Sequence, residues 1–235
     1  MCGRYSLATP AGNDLRARFA LGEALEIRQR FNVAPGDDIV AVTTSKDGEP
    51  RGSLLRWGLV PFWAKDPKVG YKMINARAES VADKPAFRDA LETRRCLIVA
   101  DGFYEWQLRD GRARKQPWHV TRADGAPFAF AGLWAIWHGP GDAVLRTCTI
   151  VTTEANDVLR DVHDRMPVML RDQGEEDAWL DHGTPAGALQ ELLAPLPDAL
   201  TARRAVGAAV GDARYDGPDC LADAEPEPQP DAKLF

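Results

Sequence analysis

Seven short apolar runs, alternating with turn signals, limit what this chain can fold into. They read DIVAVTTS, GSLLRWGLVP, CLIVADGFYEWQ, QPWHVTRA, PFAFAGLWAIW, RTCTIVTT and RMPVML. Each is strand-like in length and rich in Val, Ile, Thr and aromatics, residues that suit a pleated, half-buried surface. Helical periodicity is confined to NDLRARFAL, to KPAFRDALETRR with Pro85 near its start, and to AGALQELLA. Because few strands alternate strictly with helices, a doubly wound parallel sheet is disfavoured. The pattern predicts an α+β domain: a mostly antiparallel, barrel-like β-sheet core with peripheral helices.

The chain has 235 residues, 45% of them apolar and 27% charged, enough for one large domain with a substantial core. We place that domain at residues 2–205. Residues 206–235 are expected to be an acidic, Pro-rich, disordered tail, because the last twenty residues hold six acids and four prolines with no hydrophobic period. No apolar run approaches the roughly 18–20 residues that span a bilayer, and the start lacks a secretory signal, so a cytoplasmic monomer without membrane contact is expected. The net charge of -6 hides a division: residues 1–120 balance at +5 and residues 121–235 at -11. A basic front half leaves a polyanionic partner possible, since local patches set attraction. Glycine-rich phosphate loops are absent, so no nucleotide cofactor is supported. Cys2, Cys96, Cys148 and Cys220 show no metal-ligand spacing, and Cys96 and Cys148, inside apolar runs, read as core thiols.

Cys2 stands directly after the initiator Met. If Met1 is removed, it carries an amine and a thiol on neighbouring carbons, with reference pKa values of about 7.7–8.0 and about 8.5. That pair condenses with an aldehyde to a thiazolidine; alternatively, the thiol attacks an amide with the amine as base. An accidental cysteine is the plain alternative. Polar residues in apolar settings are the other candidates, because their burial costs free energy. Asn75, Arg77 and Glu79 alternate in MINARAES and would share one strand face, a functional face or a solvated edge. Glu105 stands between Tyr104 and Trp106, a setting that raises a carboxyl pKa, unless it points outward. His163, among Asp161, Asp164 and Arg165 before a Pro, reads equally as an acid/base group or a cap. Phe62 and Trp63, after Pro61, read as exposed aromatics of the kind that stack unpaired bases, and Trp57 as core.

CGRY, FNVAPGD, RWGLVPFWA, INARAES, RRCLIVADGFYEW, KQPW and VHDRMPV occur in the order and approximate spacing of the SRAP family, which the chain resembles from residue 2 to about residue 180. That resemblance implies a covalent trap for abasic sites in single-stranded DNA, in which Cys2 captures the C1′ aldehyde of the open deoxyribose and shields the lesion. It implies that Glu105 shuttles protons, His163 acts on the sugar ring oxygen, and Asn75 positions the N-terminal segment and the sugar. It assigns phosphate contacts to Arg4, Arg77 and Arg165, places Phe62, Trp63, Asn32 and Pro35 along the strand, and gives Thr152 a backbone contact. No metal or cofactor is implied; replication or repair proteins are conceivable partners, and the protein would be nucleoid-associated when bound. A thiol peptidase acting through Cys2 and a non-covalent single-stranded DNA-binding module are the competing readings.

Overall fold

Strand pairing follows the apolar runs and yields two sheets. The computed structural model describes residues 2–109 and 114–224. In chain order the strands are β1 (Tyr5–Leu7), β2 (Arg30–Val33), β3 (Asp38–Thr44), β4 (Pro50–Trp57), β5 (Asn75–Arg77), β6 (Arg95–Ala100), β7 (Gly102–Gln107), β8 (Gln116–Arg122), β9 (Phe128–His138), β10 (Val144–Glu154), β11 (Arg165–Pro167) and β12 (Thr201–Ala205). Short helices α1 (Asn13–Arg18), α2 (Arg88–Thr93), α3 (Gln173–Leu180) and α4 (Ala186–Leu192) accompany them.

The first sheet closes on itself. Its strands run β10-β4-β3-β6-β9, and β9 returns to β10 in a register from Val144↔His138 to Ile150↔Gly132. Only the β10–β4 contact in that ring is parallel. This is the barrel-like core expected from the strand pattern. Every residue of β6 is buried, because the barrel interior covers one face and outer elements the other. Gly132 is needed where β9 crosses β6, since a Cβ there would sit 2.8 Å from Cys96 Sγ and Ile98 Cδ1.

The second sheet is antiparallel in the order β12-β8-β7-β1-β2. Edge-to-face aromatics join it to the barrel: Tyr5 meets Trp57 at 5.4 Å and Phe130 at 5.8 Å, and Phe103 meets Phe130 at 6.2 Å. The single run CLIVADGFYEWQ therefore divides into two strands of different sheets, turning at Asp101. The Asp101 carboxylate fixes the corner by accepting from Ser6 Oγ at 2.6 Å, Thr9 N at 2.6 Å and Thr9 Oγ1 at 2.9 Å. Buried Arg95 caps helix ends: its guanidinium donates to carbonyls of Leu91 and Glu92 in α2, and of Trp179 and Asp181 at the end of α3.

Three expectations change. Helix α3 lies outside the periodic segments; Asp172 caps its start, its side chain accepting from Glu175 N. The alternating face in MINARAES stops at Arg77, and Glu79 belongs to a 3-10 turn over residues 78–80. The tail is not disordered from residue 206. Val206, Val210 and Cys220 are buried around Tyr104, and short 3-10 turns cover residues 208–211 and 218–221. Acidic composition masked three well-spaced apolar anchors; residues 225–235 lie outside the described residues. No helix of the described residues is long and apolar enough to cross a membrane.

One buried histidine makes the fold acid-sensitive. His119 Nε2 lies 2.9 Å from Ser6 Oγ, and burial, reinforced by Arg204, pushes its pKa down from 6.5 to about 3. Between those values the unfolded chain binds the extra proton, so stability is lost as pH falls through that window. Thermal melts should show the wild type losing Tm more steeply than His119→Gln between pH 7 and pH 4; parallel curves would contradict this.

Candidate active site around Cys2

The N-terminal segment enters the site as an extension of β1. The β1–β7 register pairs Tyr5 with Phe103, and Tyr104 N–H donating to Arg4 O at 3.0 Å carries it one residue further. Continuing it brings position 3 opposite Glu105. Cys2 is fully buried, with Sγ 3.8 Å from Arg4 O. Its carbonyl accepts a hydrogen bond of 2.8 Å from Asn75 Nδ2.

Asn75 is carried by β5, which lies parallel to β10 in the register Ile150↔Asn75 to Thr152↔Arg77. The segment before it is fixed by a close glycine pair. Gly58 has φ +125°, and a Cβ on it would lie 2.7 Å from Gly70 O. With Nδ2 committed to Cys2, Asn75 Oδ1 is buried and has no partner among the described residues. It is a buried acceptor left unsatisfied, a costly arrangement that a protein interior seldom carries.

Glu105 on β7 is 4% exposed. Burial pushes its carboxyl pKa up, against the opposing pull of the His163 charge and a backbone bond at Trp106. Burial also pushes the Cys2 thiol up, and the nearby Glu105 charge adds to that rise. A thiol that resists ionisation therefore lies within electrostatic reach of a carboxyl group that holds its proton to higher pH than usual. His163, half-buried, completes the cluster. Its Nδ1 lies 3.0 Å from Arg165 N and 2.9 Å from Asp164 Oδ1. Nδ1 accepts from the Arg165 amide, which leaves Nε2 as the position for the proton of a neutral ring.

The resemblance-derived contacts divide into exposed and committed groups. Phe62 and Trp63 are 66% and 53% exposed, whereas Trp57 is buried. Tyr71, 58% exposed, joins them and was missed in the sequence, where KVGYK offered only a tyrosine between two lysines. Pro35 is half-buried in the turn that Tyr71 covers, next to Gly36. Arg77 is exposed and makes no ion pair among the described residues. Arg165 is held by Glu79 at 2.5 and 2.9 Å and by Thr152 O at 2.6 Å, which draws the Glu79 pKa down. Thr152 is itself buried.

Asn32 does not reach the surface. It is 1% exposed; its Nδ2 donates to the carbonyls of Val210, Asp212 and Tyr215, and its Oδ1 accepts from Arg4. Asn32 and Arg4 thus clamp the segment after β12, and Arg4 Nη1 is also bonded to Val210 O at 2.9 Å. The Ser6, His119 and Asp101 cluster is not a hydrolase triad, because the serine stands between acid and imidazole. Among the described residues no group of three His, Cys, Asp or Glu side chains is arranged to hold a metal ion.

Because Glu105 favours its proton in the fold, its stabilising contribution is complete below the ordinary carboxylate pKa of about 4.3 and is lost as pH rises through the raised value. Glu105→Gln removes that penalty. Its Tm should exceed the wild type's at pH 7, and the gain should vanish below about pH 4; a gain independent of pH would contradict the assignment.

The chain resembles characterised proteins along most of its length. It is 44% identical over 199 residues to the abasic site processing protein YoqW of Bacillus subtilis, covering 83% of this chain and 87% of that one. It is 32% identical over 200 residues to the abasic site processing protein HMCES of Mus musculus, covering 73% of this chain and 56% of that one. A solved protein structure from Bacteroides thetaiotaomicron shares the fold with a TM-score of 0.84 at 23% identity, across 95% of this chain and 100% of its own. One from Bordetella bronchiseptica gives 0.74 at 29% identity, across 88% and 100%. Residues 1–213 match the family described as SOS response associated peptidase, SRAP, and the chain belongs to that family.

Proposed function

We propose that this protein traps abasic sites in single-stranded DNA as a covalent thiazolidine adduct at Cys2, after loss of Met1, and so shields the lesion. The observation that carries the reading is the hydrogen bond from Asn75 Nδ2 to the carbonyl of buried Cys2, whose thiol lies within electrostatic reach of buried Glu105. The names of its relatives, abasic site processing proteins, support the same substrate.

The chemistry is a condensation. The Cys2 amine adds to the C1′ aldehyde, and loss of water leaves an imine. Sγ then adds to the same carbon, its proton ends on the former imine nitrogen, and the five-membered ring closes. Glu105 donates a proton to the departing hydroxyl and accepts the thiol's proton in the closing step, roles that suit a carboxyl group with a raised pKa. His163, with its proton on Nε2, donates to the deoxyribose ring oxygen as the sugar opens. Asn75 holds the Cys2 backbone and offers Oδ1 to a sugar hydroxyl.

Arg77 supplies the open phosphate contact. Arg4 and Arg165, bonded within the protein, add positive potential along the backbone path. Phe62, Trp63 and Tyr71 stack neighbouring bases, a contribution of about 1–3 kcal/mol per base. Asn32 acts as a clamp, not a DNA contact.

On single-stranded DNA with one abasic site, Cys2→Ser should abolish the adduct that survives denaturing electrophoresis. An Ala inserted between Met1 and Cys2 should do the same by separating thiol from free amine. Glu105→Gln should slow adduct formation by about a hundredfold while leaving strand affinity unchanged. Cys2-dependent turnover of peptides without DNA would favour the peptidase reading, and unchanged crosslinking by Cys2→Ser would overturn the proposal.

A further inference from the structure

A closed cycle of side chains ties the strand that carries Glu105 to the loop that carries His163. Gln107 lies two residues after Glu105 on β7, and therefore on the same strand face. Asp161 lies two residues before His163. Gln107 Nε2 donates to both Asp161 O and Asp161 Oδ2 at 3.0 Å. The Asp161 carboxylate is gripped by Arg203 of β12, at 2.5 and 3.0 Å. The Arg203 guanidinium lies 4.5 Å over the Trp118 ring, and Trp118 Nε1 donates to Gln107 Oε1 at 3.0 Å. The cycle thus returns to its start.

Both ends of the Gln107 amide are used, so its orientation is fixed. The β8 register anchors the other members, pairing Gln116 with Gln107 and Val120 with Arg203. Asp161 remains ionised because the bond from Arg203 draws its pKa down. Burial of Arg203 is greater than that of its partner, with side-chain exposures of 23% and 55%, as expected for a cation stacked on an indole face. The loop itself is a set of turns, with Val162 N and His163 N both bonded to Leu159 O. Outside those turns, Asp161 cross-links this stretch to β7.

We infer that Gln107, Asp161 and Arg203 are positioning residues that set the separation of Glu105 from His163, an inference that rests on those two groups acting on the lesion. A displacement of about 1 Å in a reacting constellation costs up to a hundredfold in rate, and the cycle removes the freedom for such a displacement. None of the three touches the bound sugar in this scheme.

The test uses the full-length protein. Asp161→Ala, Asp161→Asn, Gln107→Ala and Arg203→Ala are compared with wild type and with Arg88→Ala, which breaks an exposed ion pair elsewhere. Single-turnover crosslinking to an abasic strand should slow about tenfold or more in the brace variants. Affinity for an undamaged strand should stay within about twofold, and the pH–rate profile should shift. Asp161→Ala combined with Arg203→Ala should be no slower than Asp161→Ala alone, because the pair acts as one unit. Cross-relaxation between the His163 ring protons and protons of β7, followed by NMR in the free protein, should weaken in Gln107→Ala and Asp161→Ala and not in Arg88→Ala. Wild-type rate, profile and cross-relaxation in all brace variants would overturn the inference, as would rate losses that only track melting temperature. If the wild type forms no adduct, the functional reading fails, and the His163 cross-relaxation still decides the brace by itself.

Discussion

Strand β10 is the element on which the rest is hung. Its first half closes the barrel by pairing with β9 on one edge and β4 on the other. Its second half leaves the ring and takes two new neighbours, β5 parallel at Ile150–Thr152 and β11 antiparallel at Thr152–Glu154. Those neighbours bring Asn75, Arg77 and Arg165 to one end of the barrel. Hydrogen bonding along one strand therefore couples core closure to site geometry, and Thr152 sits buried at the junction of β5 and β11. The second sheet supplies the complementary half, with Cys2 preceding β1 and Glu105 on the adjacent β7.

Desolvation gives this assembly its chemical character. A thiol and a carboxyl group near one another and away from water both resist ionisation, so each holds its proton to higher pH than it would in water. The cost is a fold less stable at neutral pH than an apolar equivalent would be, as is common where a site is organised for reaction and not for packing. Compensation comes from clamps outside the site. Asp216 illustrates them: its carboxylate accepts from Phe31 N and Asn32 N and pairs with Arg30, satisfying the edge of β2 that no further strand covers.

Much of this was legible in the chain because its signals are local. Strand length and β-branched content located the barrel, although the single run CLIVADGFYEWQ proved to hold two strands divided at Asp101. The exposure of Phe62 and Trp63 followed from their neighbours, whereas those of Glu105 left burial and an outward orientation both open until β7 was seen packed. Nonlocal pairings were not legible. Three-residue strands such as β1 and β5 carry no period, and their extended form is imposed by partners far along the chain, Phe103 opposite Tyr5 and Ile150 opposite Asn75. Asn32 looked available until the 208–216 segment was seen to occupy its amide, and acidic composition concealed that segment's apolar anchors. The Gln107, Asp161 and Arg203 cycle joins three stretches with no shared motif, so only the folded arrangement reveals it.

Intact-protein mass spectrometry after incubation with single-stranded DNA, with and without one abasic site, addresses the central claim most directly. The account predicts loss of Met1 and a one-to-one adduct on the damaged strand, with the mass of protein plus strand minus one water, and no adduct on the undamaged strand. Retention of Met1 with no adduct, or equal adducts on both strands, would contradict it.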